Sequence, residues 1–145
     1  MSRDPHGLVP RVLLVEDNEA DAELVRTAIA RFGRPLLMGV APTAGRALDD
    51  VDAAIAGDSR FDLVLLDLNL PNRPGLDLLC DLRERPTMDT TPILVLTSSH
   101  SPHDHEQALL RGASQVIAKH SDWGPFLDGL LRALTSYLPA EVDGA

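Results

Sequence analysis

Five short apolar runs constrain this chain more than any other feature: residues 11–15, 35–40, 62–67, 92–96 and 115–118. Within each, apolar residues follow one another instead of alternating with polar ones. A continuous run of this length fits a strand buried on both faces. The stretches between them carry apolar residues at helical spacing. Leu24, Val25, Ala28 and Phe32 recur over 20–32, with Asp17 or Asn18 available as a cap and Gly33 as a stop. Ala44, Ala47, Leu48, Val51 and Ile55 form one stripe over 43–56, and Leu78, Leu79 and Leu82 another over 76–85. A fourth helix is expected from Pro102, capped by Ser101, to Gly112. A fifth, over 122–138, aligns Trp123, Leu127, Leu130, Leu134 and Leu138. Strands alternating with helices imply right-handed crossovers and an α/β fold, a doubly wound five-stranded parallel sheet with five helices.

At 145 residues the chain fits one domain, expected at 11–138 between a flexible leader at 1–10 and a short tail at 139–145. Its apolar runs fall far short of the ~20 residues a membrane span needs, so no membrane role is expected. The single cysteine, Cys80, excludes an internal disulfide and suits the reducing cytosol, so a cytoplasmic location is expected. A net charge of −9 without a Lys/Arg cluster argues against nucleic acid as a partner. Excess acid gathered in a pocket would instead bind a cation.

Ligands of open α/β sheets sit just beyond the carboxyl ends of the strands. Glu16 and Asp17 stand there after the first strand, Asp67 after the third, Thr97 after the fourth and Lys119 after the fifth. Each alone is explained as a cap, a turn residue or a surface charge. Together they bring carboxylates, a hydroxyl and an ammonium to one edge of one sheet. Clustered carboxylates stay ionised together only around a cation, and an all-oxygen set suits a hard ion such as Mg²⁺. With that charge neutralised, a carboxylate can accept a phosphoryl group as an acyl phosphate. Asp67 is the central carboxylate and the natural acceptor.

Leu14-Val15-Glu16-Asp17-Asn18, Asp67-Leu68-Asn69-Leu70-Pro71 with Gly75, Leu96-Thr97-Ser98, Gly112-Ala113 and Lys119 resemble the response regulator receiver domains of two-component signalling. The resemblance spans residues 11–138. It implies a flavodoxin-like sheet in the order 2-1-3-4-5 and a single-domain regulator in a phosphorelay. It further implies Asp67 as phosphoacceptor, Thr97 and Lys119 as holders of the phosphoryl oxygens, and Mg²⁺ as cofactor. Glu16, Asp17, Asp67 and the Asn69 main-chain carbonyl would ligate the ion. The implied partners are a sensor histidine kinase, then a downstream histidine phosphotransfer or effector protein. The Val-Glu-Asp-Asn and Asp-Leu-Asn-Leu-Pro segments are similar to the stand-alone subset paired with phytochrome-type kinases. Such a protein is a signalling module and not an enzyme, catalysing at most its own phosphotransfer and dephosphorylation.

The chain departs from the family pattern in three places. Val116 stands where an aromatic residue usually does, His120 follows the lysine where proline is common, and Pro74 replaces an Asp. Valine has one stiff χ1 and no ring to swing, so an aromatic readout is not expected. A cis Lys119–His120 bond would cost ~2.5–4 kcal/mol without proline. His100, His103 and His105 open the fourth helix as either a solvated face or a soft-metal cluster. Two other functions compete. A phosphorylation-silent adaptor would have lost Asp67 or Lys119, and both are present. A haloacid dehalogenase-like phosphatase with an aspartyl nucleophile wants a second Asp where Asn69 stands. On the last helix Phe126, Leu131 and Tyr137 either cover the protein's own core or pair with a second copy.

Overall fold

The computed structural model describes residues 9–71, 73–120 and 122–139, so most of the expected leader and tail lies outside the described residues. Strands β1 (Arg11–Val15), β2 (Leu37–Ala41), β3 (Leu63–Asp67), β4 (Ile93–Thr97) and β5 (Gln115–Ala118) alternate with helices α1 (Glu19–Phe32), α2 (Ala44–Ala56), α3 (Gly75–Arg83), α4 (Pro102–Leu110) and α5 (Trp123–Tyr137). The strands form one parallel sheet in the order β2-β1-β3-β4-β5. This is the doubly wound topology implied by the sequence, with its switch point between β1 and β3.

Strand alternation divides the core into two layers. Leu13, Val15, Val64, Leu66, Ile93 and Val95 pack beneath α2, α3 and α4. Val12, Leu14, Leu63, Leu65, Leu94 and Leu96 pack beneath α1 and α5. Every residue of β3 and β4 is buried, which is why their sequences run apolar without a break. Each buried Val, Leu or Ile contributes ~1.5–3 kcal/mol to the folded state. The edge strand β2 is different: it alternates exposed and half-buried positions, and it begins two residues later than the apolar run at Pro35 suggests.

Caps follow the sequence. Asn18 accepts from the Asp21 N–H to start α1, and Gly33 ends it at φ 73°. Ser101 caps α4, with Pro102 just inside it. One residue expected to face inward does not. Leu24 is 39% exposed, and Ala22, Val25 and Ala28 form the buried stripe of α1 instead. On α5, Phe126 is buried in the chain's own core, while Leu131 and Tyr137 pack half-buried against it.

Gly75 fixes the loop after β3. A Cβ there would lie 2.5 Å from the Leu68 Cα and 2.7 Å from its carbonyl oxygen. Only glycine lets the start of α3 approach the Asp67–Leu70 turn so closely. Opposite, the Arg83 guanidinium donates to the carbonyls of Met88 and Thr91 at 2.6 Å, and its Nε and Nη2 both donate to that of Gly112, at 2.9 and 2.6 Å. One cation thereby ties the α3–β4 loop to the turn before β5. No helix among the described residues is long and apolar enough to cross a membrane.

Candidate functional site

Strand parity assembles the site. In β1, Val12 and Leu14 face the α1/α5 layer, and Glu16 continues that parity past the strand end. Leu63 and Leu65 do the same in β3, leading to Asp67, and Ile117 in β5 leads to Lys119. The three side chains meet beneath the first turn of α1. The Lys119 Nζ donates to Glu16 Oε1 at 3.0 Å and to Asp21 Oδ2 at 2.9 Å, and lies 3.4 Å from Asp67 Oδ2. Glu16 and Asp67 are each 2% exposed.

Asp67 is oriented from two directions. Its Oδ1 accepts the Asn69 N–H at 3.0 Å, which leaves Oδ2 toward the ammonium. The Lys119 N–H in turn donates to the Thr97 carbonyl at 2.7 Å, fixing the end of β5 against that of β4. Thr97 is 4% exposed and its Oγ1 accepts the Ser99 N–H at 3.1 Å, holding the loop after β4. Asn69 reaches across with its Nδ2 to Ser98 Oγ at 3.2 Å. The Lys119–His120 bond is trans, so replacing proline there stores no strain.

The site is short of positive charge. Burial pushes the Glu16 carboxyl up from 4.5 to about 8, and hydrogen bonding to Asp67 and repulsion by it add to the shift, while Lys119 offsets part of it. Burial opposes the Lys119 charge, but Asp21, Asp67 and Glu16 outweigh that and hold the ammonium above its ordinary value. Among the described residues, Glu16, Asp21 and Asp67 are the group whose carboxylate oxygens lie within 4.8 Å of one another. An oxygen-only, charge-deficient set of this kind fits a hard divalent cation.

The structure thus unites Glu16, Asp67 and Lys119 and places Thr97 at the neighbouring strand end. It adds Asp21, which sequence reading missed, and leaves the Asp17 side chain exposed, outside the cluster. The signal for Asp21 was available. Asp17 continues the parity of Val15, toward the other layer, whereas α1 lies over the face to which Glu16 and Asp67 belong. The histidines that open α4 turn apart: His105 Nε2 bonds the Ser99 carbonyl at 2.7 Å, and His100 instead packs edge-on to His120, with ring centroids 5.1 Å apart. A surface depression of about 730 Å³ lies between Arg11, Met38 and Phe61 at the opposite strand ends and touches none of these groups.

The sequence model of the response regulator receiver domain matches residues 12–128. The chain belongs to the response regulator receiver domain family. This receiver is 33% identical over 95 residues to Response regulator Rcp1 of Synechocystis, a match covering 64% of this chain and 65% of that protein. The chain therefore spans just under two thirds of that relative's length. Its fold superposes on the phosphorylated cyanobacterial phytochrome response regulator RcpA with a TM-score of 0.80 and 27% identity, covering 91% of this chain and 99% of that one. The Mn²⁺-bound form of response regulator Rcp1 superposes at 0.76 with 25% identity, over 90% and 99% of the two chains.

Proposed function

We propose that this receiver takes a phosphoryl group from the histidine of a sensor kinase onto Asp67 and signals through its surface. The observation that carries this reading is the buried Asp67 Oδ2, 3.4 Å from the Lys119 ammonium, while Oδ1 takes the Asn69 N–H. The Oδ2 attacks phosphorus, an O–P bond forms, and the P–N bond to imidazole breaks with its electron pair returning to nitrogen. Lys119 neutralises one phosphoryl oxygen and the Thr97 hydroxyl donates to another. Hydrolysis by water restores the carboxylate and releases inorganic phosphate.

Mg²⁺ is the proposed cofactor: Glu16, Asp67 and the Asn69 main-chain carbonyl would hold it, Asp17 would join them once its exposed side chain turns toward the cluster, and the ion would supply charge neutralisation for the transferring group. The Mn²⁺ named for Rcp1 supports a divalent ion at this acidic edge. Likeness to the phytochrome response regulator RcpA supports a phytochrome-type kinase as donor. A cytoplasmic protein relaying to a histidine phosphotransfer or effector protein completes the reading, and the net charge of −9 disfavours nucleic acid. A second copy would find Leu131 and Tyr137 half-buried and Phe126 already consumed by the core.

Readout departs from the aromatic pattern. Val116 is half-buried against the α2–α4 layer, so the change at Thr97 reaches α4 by backbone and packing shifts and not by a rotating ring. The test is intact mass after incubation with Mg²⁺ and acetyl phosphate. One added phosphoryl group, absent from Asp67→Asn and without Mg²⁺, is the expected result. An adduct that persists in Asp67→Asn would overturn the assignment.

A further inference from the structure

Asp21 takes no part in the phosphoryl transfer proposed above, yet its carboxylate makes the shortest contact with the Lys119 ammonium. An ammonium has three N–H donors; that of Lys119 donates to Asp21 at 2.9 Å and to Glu16 at 3.0 Å and only stands 3.4 Å from Asp67. The charge that would hold a phosphoryl group therefore rests nearer to the two flanking carboxylates than to the acceptor. Nor is Asp21 a loosely placed surface acid. Its backbone N–H donates to the Asn18 cap at 3.1 Å, so the start of α1 aims the carboxylate at the ammonium.

The two anchors differ in how readily they let go. The Glu16 side chain is 0% exposed and that of Asp21 is 35% exposed. Detaching the ammonium from Glu16 strands a buried carboxyl without its donor, whereas water can replace it at Asp21. A phosphoryl group carries a charge of about −1.5 to −2, in place of the single charge of the carboxylate. The added charge draws the ammonium toward Asp67, and the bond to Asp21 is the one that yields. We propose that Asp21 is a positioning residue that parks Lys119 in the unphosphorylated receiver and surrenders it when Asp67 is phosphorylated. This rests on the reading of Asp67 as phosphoacceptor. Release leaves an unpaired carboxylate beside Leu24, His120 and Trp123, which line a small hollow between α1 and α5. The phosphorylated and resting forms then differ in charge on that surface.

Beryllofluoride, a reversible phosphoryl mimic, measures the balance without hydrolysis. Asp21 stabilises only the resting state, so Asp21→Asn or Asp21→Ala should bind beryllofluoride with Mg²⁺ several-fold more tightly than the wild type. Asp21→Glu should restore wild-type affinity. Glu19→Gln, which removes a neighbouring charge from the same helix turn, should change it far less. The Lys119 Nζ resonance of unliganded Asp21→Asn should move toward its position in the beryllofluoride-bound wild type. Equal tightening by Glu19→Gln and Asp21→Asn, or an Nζ signal indifferent to Asp21, overturns the proposal. A wild type that neither binds beryllofluoride nor forms an adduct instead defeats the phosphoacceptor reading, and the unliganded Nζ comparison still decides whether Asp21 holds the lysine.

Discussion

Glu16 makes the stability of the metal-free protein fall as pH rises. Its carboxyl titrates near 4.5 in the unfolded chain and near 8 in the folded one, chiefly because burial disfavours the anion and Asp67 stands beside it. Below about pH 4.5 both states are protonated and Glu16 contributes nothing. Between about 4.5 and 8 the unfolded chain loses a proton that the folded one keeps, so folding must recover it. Each pH unit in that window costs up to about 1.4 kcal/mol, a ceiling on the order of 5 kcal/mol above it. Lys119 does not obscure the effect. Its folded value is raised above 10.5, so its contribution is intact throughout the window and is lost only at higher pH. The assay is urea unfolding in a chelating buffer at about pH 5 and about pH 8, for the wild type and Glu16→Gln. The wild type should lose several kcal/mol more than the variant between the two conditions, and added Mg²⁺ should shrink that difference. Parallel losses in the two proteins would refute the reasoning.

Three further predictions concern the frame around the site. Gly75→Ala forces a Cβ into the Leu68 backbone and should cost ~1–3 kcal/mol in urea unfolding. Gly45→Ala, on α2 with nothing within 4 Å of the new Cβ, should instead gain ~0.5–1 kcal/mol. A neutral Gly75→Ala would disprove the close approach. Arg83→Ala orphans the carbonyls of Met88, Thr91 and Gly112 and should cost about 3 kcal/mol. Arg83→Lys should recover little of it, because one ammonium cannot span all three; full recovery in chemical denaturation would contradict the clamp. Asn18→Ala should cost ~1 kcal/mol through loss of the α1 cap, seen as faster amide exchange at Asp21.

The sheet was legible because strands buried on both faces must be apolar throughout, as β3 and β4 are. The edge strand β2 gave a blurred limit, since its exposed positions break that pattern. On α1 the larger Leu24 suggested the inward face, but close packing over β1 admits Ala22 and Ala28 and leaves Leu24 in solvent. Topology alone brings Glu16, Asp67, Thr97 and Lys119 to one sheet edge, whereas Asp17, one residue past Glu16, stays exposed outside the cluster. Asp21 could not be read the same way, because it reaches the cluster from a helix and only strand parity shows which helix covers the carboxylates. The pairing of His100 with His120 joins two loops distant in sequence, and no local spacing encodes it.

One carboxylate, Asp67, carries the proposed phosphotransfer. Wild-type protein treated with Mg²⁺ and acetyl phosphate, then reduced with borohydride, should yield homoserine in place of Asp67 when its peptides are sequenced by mass spectrometry. Every other acidic residue should be unchanged. Homoserine at Asp17, Asp21 or Glu16's counterpart alcohol, with Asp67 intact, would contradict the central claim.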